Sequence, residues 1–142
     1  MTTAQVVAGE RRQRLRGPVL LAAGVLVLSV LLHVRDPHRT GSWGFCPWLV
    51  LTGTYCPGCG GLRAVNDLTH GEVLAAASSN LLFTVSVPVL AGLWLRSVAD
   101  RLRGVRRHVE TRRALIWAAV FLAVALGFAV LRNLPLGAWL AP

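Results

Sequence analysis

Charged residues leave three long stretches of this chain entirely, and the stretches between them collect nearly all the charge. The first, Gly17 to Val34, is eighteen residues without Asp, Glu, Lys or Arg; at about 1.5 Å per residue it makes roughly 27 Å of helix, enough to cross a bilayer's hydrocarbon. The second is uncharged from Val73 to Leu95. Ser78, Ser79 and Asn80 make its beginning polar, so the pattern predicts a membrane helix over 81–98 with Asn80 as its N-cap. Pro88 should bend that helix, with neighbouring helices or Ser and Thr hydroxyls satisfying the backbone it frees. The third, Ala114 to Leu131, is clean, and the tail over 132–142 carries Pro135 and Pro142.

A fourth uncharged stretch, Thr40 to Leu62, holds six glycines together with Pro47 and Pro57. A lipid-facing helix cannot forgo so many backbone hydrogen bonds, so this stretch reads as a re-entrant or interfacial segment. The distribution of arginine supports the choice, because arginine in short loops marks the cytoplasmic side. Residues 1–16 carry four Arg and one Glu, and 96–113 carry seven Arg against Asp100 and Glu110. By contrast, 33–72 balances Arg35, Arg39 and Arg63 with Asp36, Asp67 and Glu72. Three spans put both basic regions on one face of the membrane, whereas four would separate them. The expected fold is therefore all-α and integral to the membrane. It has a basic cytoplasmic N-terminus (1–16), spans over 17–34, 81–98 and 114–131, an extracytoplasmic cysteine segment with short helices (35–80), a basic cytoplasmic loop (99–113) and an extracytoplasmic tail.

Composition agrees with this reading. Apolar residues make up 54% of the 142, and 14 glycines come in addition; soluble domains carry about 45 to 50% with glycine included. The basic flank before the first block resembles a secretory leader, but no small-x-small cleavage site follows, which points to a retained anchor. A net charge of +9 does not imply nucleic acid, since the arginines flank the spans and no aromatic-plus-basic pattern interleaves them. In the 96–113 loop, Val98, Leu102, Val105 and Val109 recur at helical spacing, so a helix there would set an apolar stripe in an arginine field suited to anionic lipid. The alternative is a solvated loop that only fixes topology, as Gly104 weakens a helix.

All three cysteines fall between the first two spans: Cys46-Pro47, then Cys56-Pro57-Gly58-Cys59-Gly60. Two thiolates three residues apart can chelate one ion, with Pro57 fixing the turn and the glycines letting amides approach the sulfurs. The same spacing suits a disulfide or a reactive pair at a helix start, and buried uncoupled thiols are the remaining reading. A closed zinc site takes four ligands; Cys46, Cys56 and Cys59 supply three, and His70 is the nearest candidate for the fourth. His33 and His38 precede the segment, and His108 is expected across the membrane. The odd thiol count fits a three-sulfur ligand set or an exchanging triad better than a purely structural bridge.

Gly61 to His70 can form a short helix with Arg63, Asn66, Asp67 and His70 on one face. Asp67 could then orient a His70 ligand or base, and Arg63 could hold an anionic headgroup or carboxylate. The plainer alternative is an interfacial helix with its wet side out and an Arg63–Asp67 pair. Trp43, Trp48 and Tyr55 fit an interfacial aromatic belt.

The run Cys46-Pro47, Leu51-Thr52-Gly53, Cys56-Pro57-Gly58-Cys59-Gly60, Arg63-Ala64, Gly71-Glu72, Ala77 and Asn80 resembles the bacterial membrane family termed domain of unknown function 2752, over about residues 43–90. This chain has Asn80-Leu81 where the family pattern leads one to expect Asn-Pro. The resemblance implies a small multi-spanning protein with no assigned reaction. The leading expectation is a multi-pass protein of the bacterial inner membrane, C-terminus outside, whose cysteine segment binds zinc and serves an accessory or binding role. Its partners would be the bilayer, anionic lipid at the arginine-rich loop, and other membrane proteins or itself. The rival is a membrane thiol-disulfide oxidoreductase with Cys56 and Cys59 exchanging and Cys46 resolving. A transporter or channel is disfavoured because the first and third spans hold no ionisable residue between their ends.

Overall fold

A computed structural model describes residues 3–39, 41–105 and 110–141. Six α-helices follow one another: α1 (Thr3–Val34), α2 (Pro47–Thr52), α3 (Gly61–Thr69), α4 (Val73–Ser79), α5 (Leu81–Leu102) and α6 (Thr111–Arg132), with a closing 3-10 segment, Pro135–Leu140. Gln13–Val34 of α1, all of α5 and all of α6 are each long and apolar enough to cross a membrane. Their large apolar side chains point outward, Leu20, Leu26, Leu90, Leu93, Phe121 and Leu126 among them. Long helices that satisfy their own backbone while exposing leucine, valine and phenylalanine on most sides suit a lipid solvent, not water. The architecture is thus all-helical with three candidate spans and the cysteine segment between the first two.

The helices run past the uncharged blocks at their basic ends, α1 back to Thr3, α5 on to Leu102 and α6 from Thr111. Long arginine side chains can reach a polar interface from a helix end, so charge there does not stop the helix. Both prolines inside long helices, Pro18 in α1 and Pro88 in α5, are accommodated without ending them. In the basic loop, α5 ends at Leu102, and Gly104 takes the left-handed conformation at φ 73°. The apolar stripe drawn through Val109 and the placement of His108 lie outside the described residues.

α1 and α5 pack antiparallel: Trp94 Nε1 donates to the Pro18 carbonyl at 3.3 Å, and Arg101 Nη1 to the Arg14 carbonyl at 2.9 Å. The basic N-terminal region and the end of α5 therefore share one end of the molecule. Burial concentrates at the other end, where α3 packs on α1 and α4, and α4 packs on α5 and the 3-10 segment. The buried residues there include Leu32, Cys59, Ala64, Ala76 and Leu140, with Asn66, Asp67, Ser79, Asn80 and Arg132. Half of that core is polar, and such a core is stable only where its groups are partnered.

Backbone carbonyls from the end of α1, the cysteine turn and the 3-10 segment supply most of the partners. Asn66 Nδ2 donates to the Leu32 carbonyl at 2.7 Å, tying α3 to the end of α1. Asp67 accepts from the Ser79 hydroxyl at 2.7 Å and lies 2.8 Å from His38 Nε2. The centre of α3's polar face, Asn66 and Asp67, is accordingly not a wet surface, although Arg63 is half-buried and His70 exposed; among the described residues Asp67 pairs with His38 and Ser79 and with neither Arg63 nor His70. The reason is packing: α3 is covered on two sides, so its central polar residues serve as anchors. The C-terminal 3-10 segment folds back over the end of α6, where a Cβ on Gly137 would overlap the Leu131 carbonyl.

Candidate metal centre

Cys46 is the N-cap of α2, and Pro47 opens that helix, a favoured place for proline because the amide it lacks would have no helical partner. Cys56 to Cys59 form a tight turn closed by a hydrogen bond from the Cys59 amide to the Cys56 carbonyl at 3.1 Å. Gly60 follows as the N-cap of α3 at φ 81°, a left-handed conformation that a Cβ would strain. This backbone turns all three side chains inward. The Sγ atoms are separated by 3.1 Å (Cys56–Cys59), 3.5 Å (Cys46–Cys59) and 3.7 Å (Cys46–Cys56). Each is a free thiol; Cys59 is buried and the other two are half-buried.

A nearly equilateral sulfur triangle is informative. Zinc–thiolate bonds of about 2.3 Å at tetrahedral angles place sulfurs roughly 3.8 Å apart, close to the two Cys46 edges and longer than the 3.1 Å between Cys56 and Cys59. The point equidistant from all three sulfurs lies about 2.0 Å from each in their plane, so an ion with bonds of about 2.3 Å would sit roughly 1.1 Å above that plane. The cluster could thus supply three ligands to one ion. Among the described residues, these three sulfurs form the group of ligand atoms, all within 4.8 Å of one another, that could hold a metal ion.

The thiols differ in acidity. The Leu49 amide, reinforced by the neighbouring thiols and the Trp48 amide and opposed by partial desolvation, holds Cys46 below the ordinary thiol value. Burial pushes Cys59 up to about 12, and the Cys56 and Cys46 thiols add to the rise.

His70 is not brought into the cluster. Its Nδ1 lies 2.9 Å from the Asn66 carbonyl, and its ring stacks on His33 with centroids 4.2 Å apart. His33 Nδ1 lies 3.1 Å from the Thr69 hydroxyl. The histidines thus gather at the junction of α1 and α3, with His38 on Asp67. Trp43 Nε1 donates to the Arg35 carbonyl, Trp48 Nε1 to the Thr54 hydroxyl, and Tyr55 joins the site through Asn133.

Two residues distant in sequence, Asn80 and Arg132, hold the cysteine turn. Asn80, fully buried, caps α5 by accepting from the Phe83 amide at 2.9 Å, and its Nδ2 donates to the carbonyls of Pro57 (2.9 Å) and Cys59 (3.0 Å). Arg132, at the end of α6 and 1% exposed, donates through Nη1 to the Cys56 (3.0 Å) and Cys59 (3.1 Å) carbonyls and through Nη2 to Leu140 (2.9 Å). Next to it, Asn133 exchanges a reciprocal pair of hydrogen bonds with the Tyr55 backbone. The turn's carbonyls therefore face two candidate spans while its sulfurs face one another.

The family model described as "Protein of unknown function (DUF2752)" matches residues 46–94, from Cys46 through α2, α3 and α4 into α5. The resemblance read from the paired Cys-Pro motifs holds over this segment, which contains all three sulfurs and Asn80. No curated protein and no solved structure matches the chain.

Proposed function

From the family match over the cysteine segment and the geometry of its sulfurs, we infer that this is a multi-pass protein of the bacterial inner membrane in which Cys46, Cys56 and Cys59 hold a zinc ion. The ion organises the segment around it. It fastens the start of α2 to the turn that leads into α3, and so gives a glycine-rich segment one conformation for contact with a partner protein or with lipid. The arginine-rich end faces the cytoplasm and anionic headgroups, and the cysteine segment and the tail face outward. The observation that carries the reading is the sulfur triangle. Three sulfurs sit at nearly equal separations around a common point, where a bridge would bring two together and leave the third aside.

The test is elemental analysis of protein purified under reducing conditions. About one zinc per chain is expected, and none in the Cys56→Ser/Cys59→Ser variant. Protein that carries no stoichiometric metal under these conditions overturns the reading.

One observation favours the oxidoreductase reading: Cys56 and Cys59 have the shortest separation of the three, with Cys46 within 3.7 Å of both. It requires a mobility shift with a maleimide reagent that depends on redox poise and disappears in Cys56→Ser. A pair that stays in one state across all accessible potentials removes it.

A further inference from the structure

Arg132 is a buried cation in need of an anion. Among the described residues no carboxylate pairs with it; its acceptors are the neutral carbonyls of Cys56, Cys59 and Leu140. Its Nε is buried without any hydrogen-bond partner. Its guanidinium carbon stands 4.9 Å from the centre of the Phe128 ring and 5.6 Å from that of Tyr55. Aromatic faces and carbonyls ease a buried positive charge without neutralising it. An uncompensated charge at the edge of a lipid-facing helix is costly enough that its persistence calls for an explanation.

The cysteines provide one. When a divalent ion displaces the protons of three thiols, three protons leave, two positive charges enter, and the cluster is left with a net charge of minus one. That charge forms immediately beside the guanidinium that grips the backbone of two of the ligands. Cluster and Arg132 then sum to zero. A fourth thiolate or carboxylate would restore an unbalanced negative charge in the same poorly solvated place, and a monovalent ion would do likewise.

Resting on the metal reading above, we propose that the centre is built for a divalent ion held by three thiolates with a neutral, exchangeable fourth ligand such as water, and that Arg132 is the counter-cation that sets this charge. The open corner above the sulfur plane is where that ligand binds. Cys46 and Cys56 are half-buried and Cys59 is buried, so the cluster meets its surroundings through the first two. The site is therefore one that a neutral nitrogen or sulfur donor from outside can enter.

Cobalt(II) is the probe, titrated into reduced, metal-free full-length protein in nanodiscs and followed by its thiolate charge-transfer and d–d bands. The wild type is expected to give an intense tetrahedral spectrum whose d–d bands shift on adding imidazole. Arg132→Gln, which keeps a hydrogen-bond donor and loses the charge, should weaken cobalt binding at least tenfold. Arg132→Lys, which keeps the charge and loses the planar fork, should remain within about threefold of wild type. If Arg132 merely shaped the turn, lysine would fare no better than glutamine, and that result overturns the proposal. A d–d spectrum indifferent to imidazole overturns it too. Failure of the wild type to bind cobalt at all is a different outcome, since it removes the metal centre itself and the proposal with it.

Discussion

The side chain of Asn80 and the backbone of Cys59 are joined by a hydrogen bond of 3.0 Å, while the other end of the same amide caps α5 at Phe83. One residue therefore sets both where a candidate span begins and how the cysteine turn is held against it. The two functions need opposite chemistry from a single amide: an oxygen to accept from the helix and a nitrogen to donate to the turn.

That division makes the effect of substitution specific. Asn80→Ala should lose about 1 kcal/mol of capping and leave the half-buried Pro57 carbonyl without its donor, which costs about 1 kcal/mol more. Asn80→Asp keeps an equally good cap but turns a negative oxygen toward the carbonyls of Pro57 and Cys59. Thermal unfolding in detergent should rank wild type above alanine and alanine at or above aspartate. An aspartate variant as stable as wild type would show that only the cap matters.

The histidine pair permits a statement about protons. Thr69 gives its only hydroxyl hydrogen to the Asn66 carbonyl at 2.7 Å, so the contact between Thr69 and His33 Nδ1 needs the ring to donate. His70 Nδ1 faces the same carbonyl and must donate as well. Both neutral imidazoles should therefore be Nδ1–H tautomers with bare Nε2 atoms, which nitrogen-15 chemical shifts report directly. An Nε2–H tautomer in either ring would contradict the arrangement. With His70 engaged in this way, His70→Ala should retain the zinc content of wild type, and a loss of metal in that variant would return His70 to the ligand set.

Gly137 tests how the tail closes over the site. Gly137→Ala sets a methyl group against the Leu131 carbonyl, and crowding of this kind typically costs about 1 to 3 kcal/mol. It should also lift Leu140 away from Arg132, with which it shares a hydrogen bond. Faster proteolysis near the C-terminus, with α5 unaffected, is the expected readout. A tail as resistant as wild type would mean that the 3-10 segment does not depend on this close approach.

The three candidate spans, the N-cap of α5 and the helix after the cysteines were legible in the sequence, because each is written locally as an uncharged block, a capping residue or a helical spacing of polar positions. The sulfur cluster was legible as a candidate from the Cys-Pro-Gly-Cys turn, but its closure by Cys46 depends on α2 folding back, which spacing does not encode. Arg132 and Asn133 were hidden for the same reason: they lie more than seventy residues from the backbone they hold. The polar residues of α3 misled in a different way. Asn66 and Asp67 share a face with Arg63 and look solvated, yet they are buried because His38 and the end of α1 return to cover them. Periodicity identifies a polar face without saying what packs on it.

Whether Cys46, Cys56 and Cys59 bind one metal ion together is decided by X-ray absorption at the zinc edge of reduced, zinc-loaded protein in nanodiscs. Three sulfur neighbours at about 2.3 Å and one nitrogen or oxygen neighbour are expected. A zinc shell containing no more than one sulfur, or protein that retains no zinc after desalting, would contradict it.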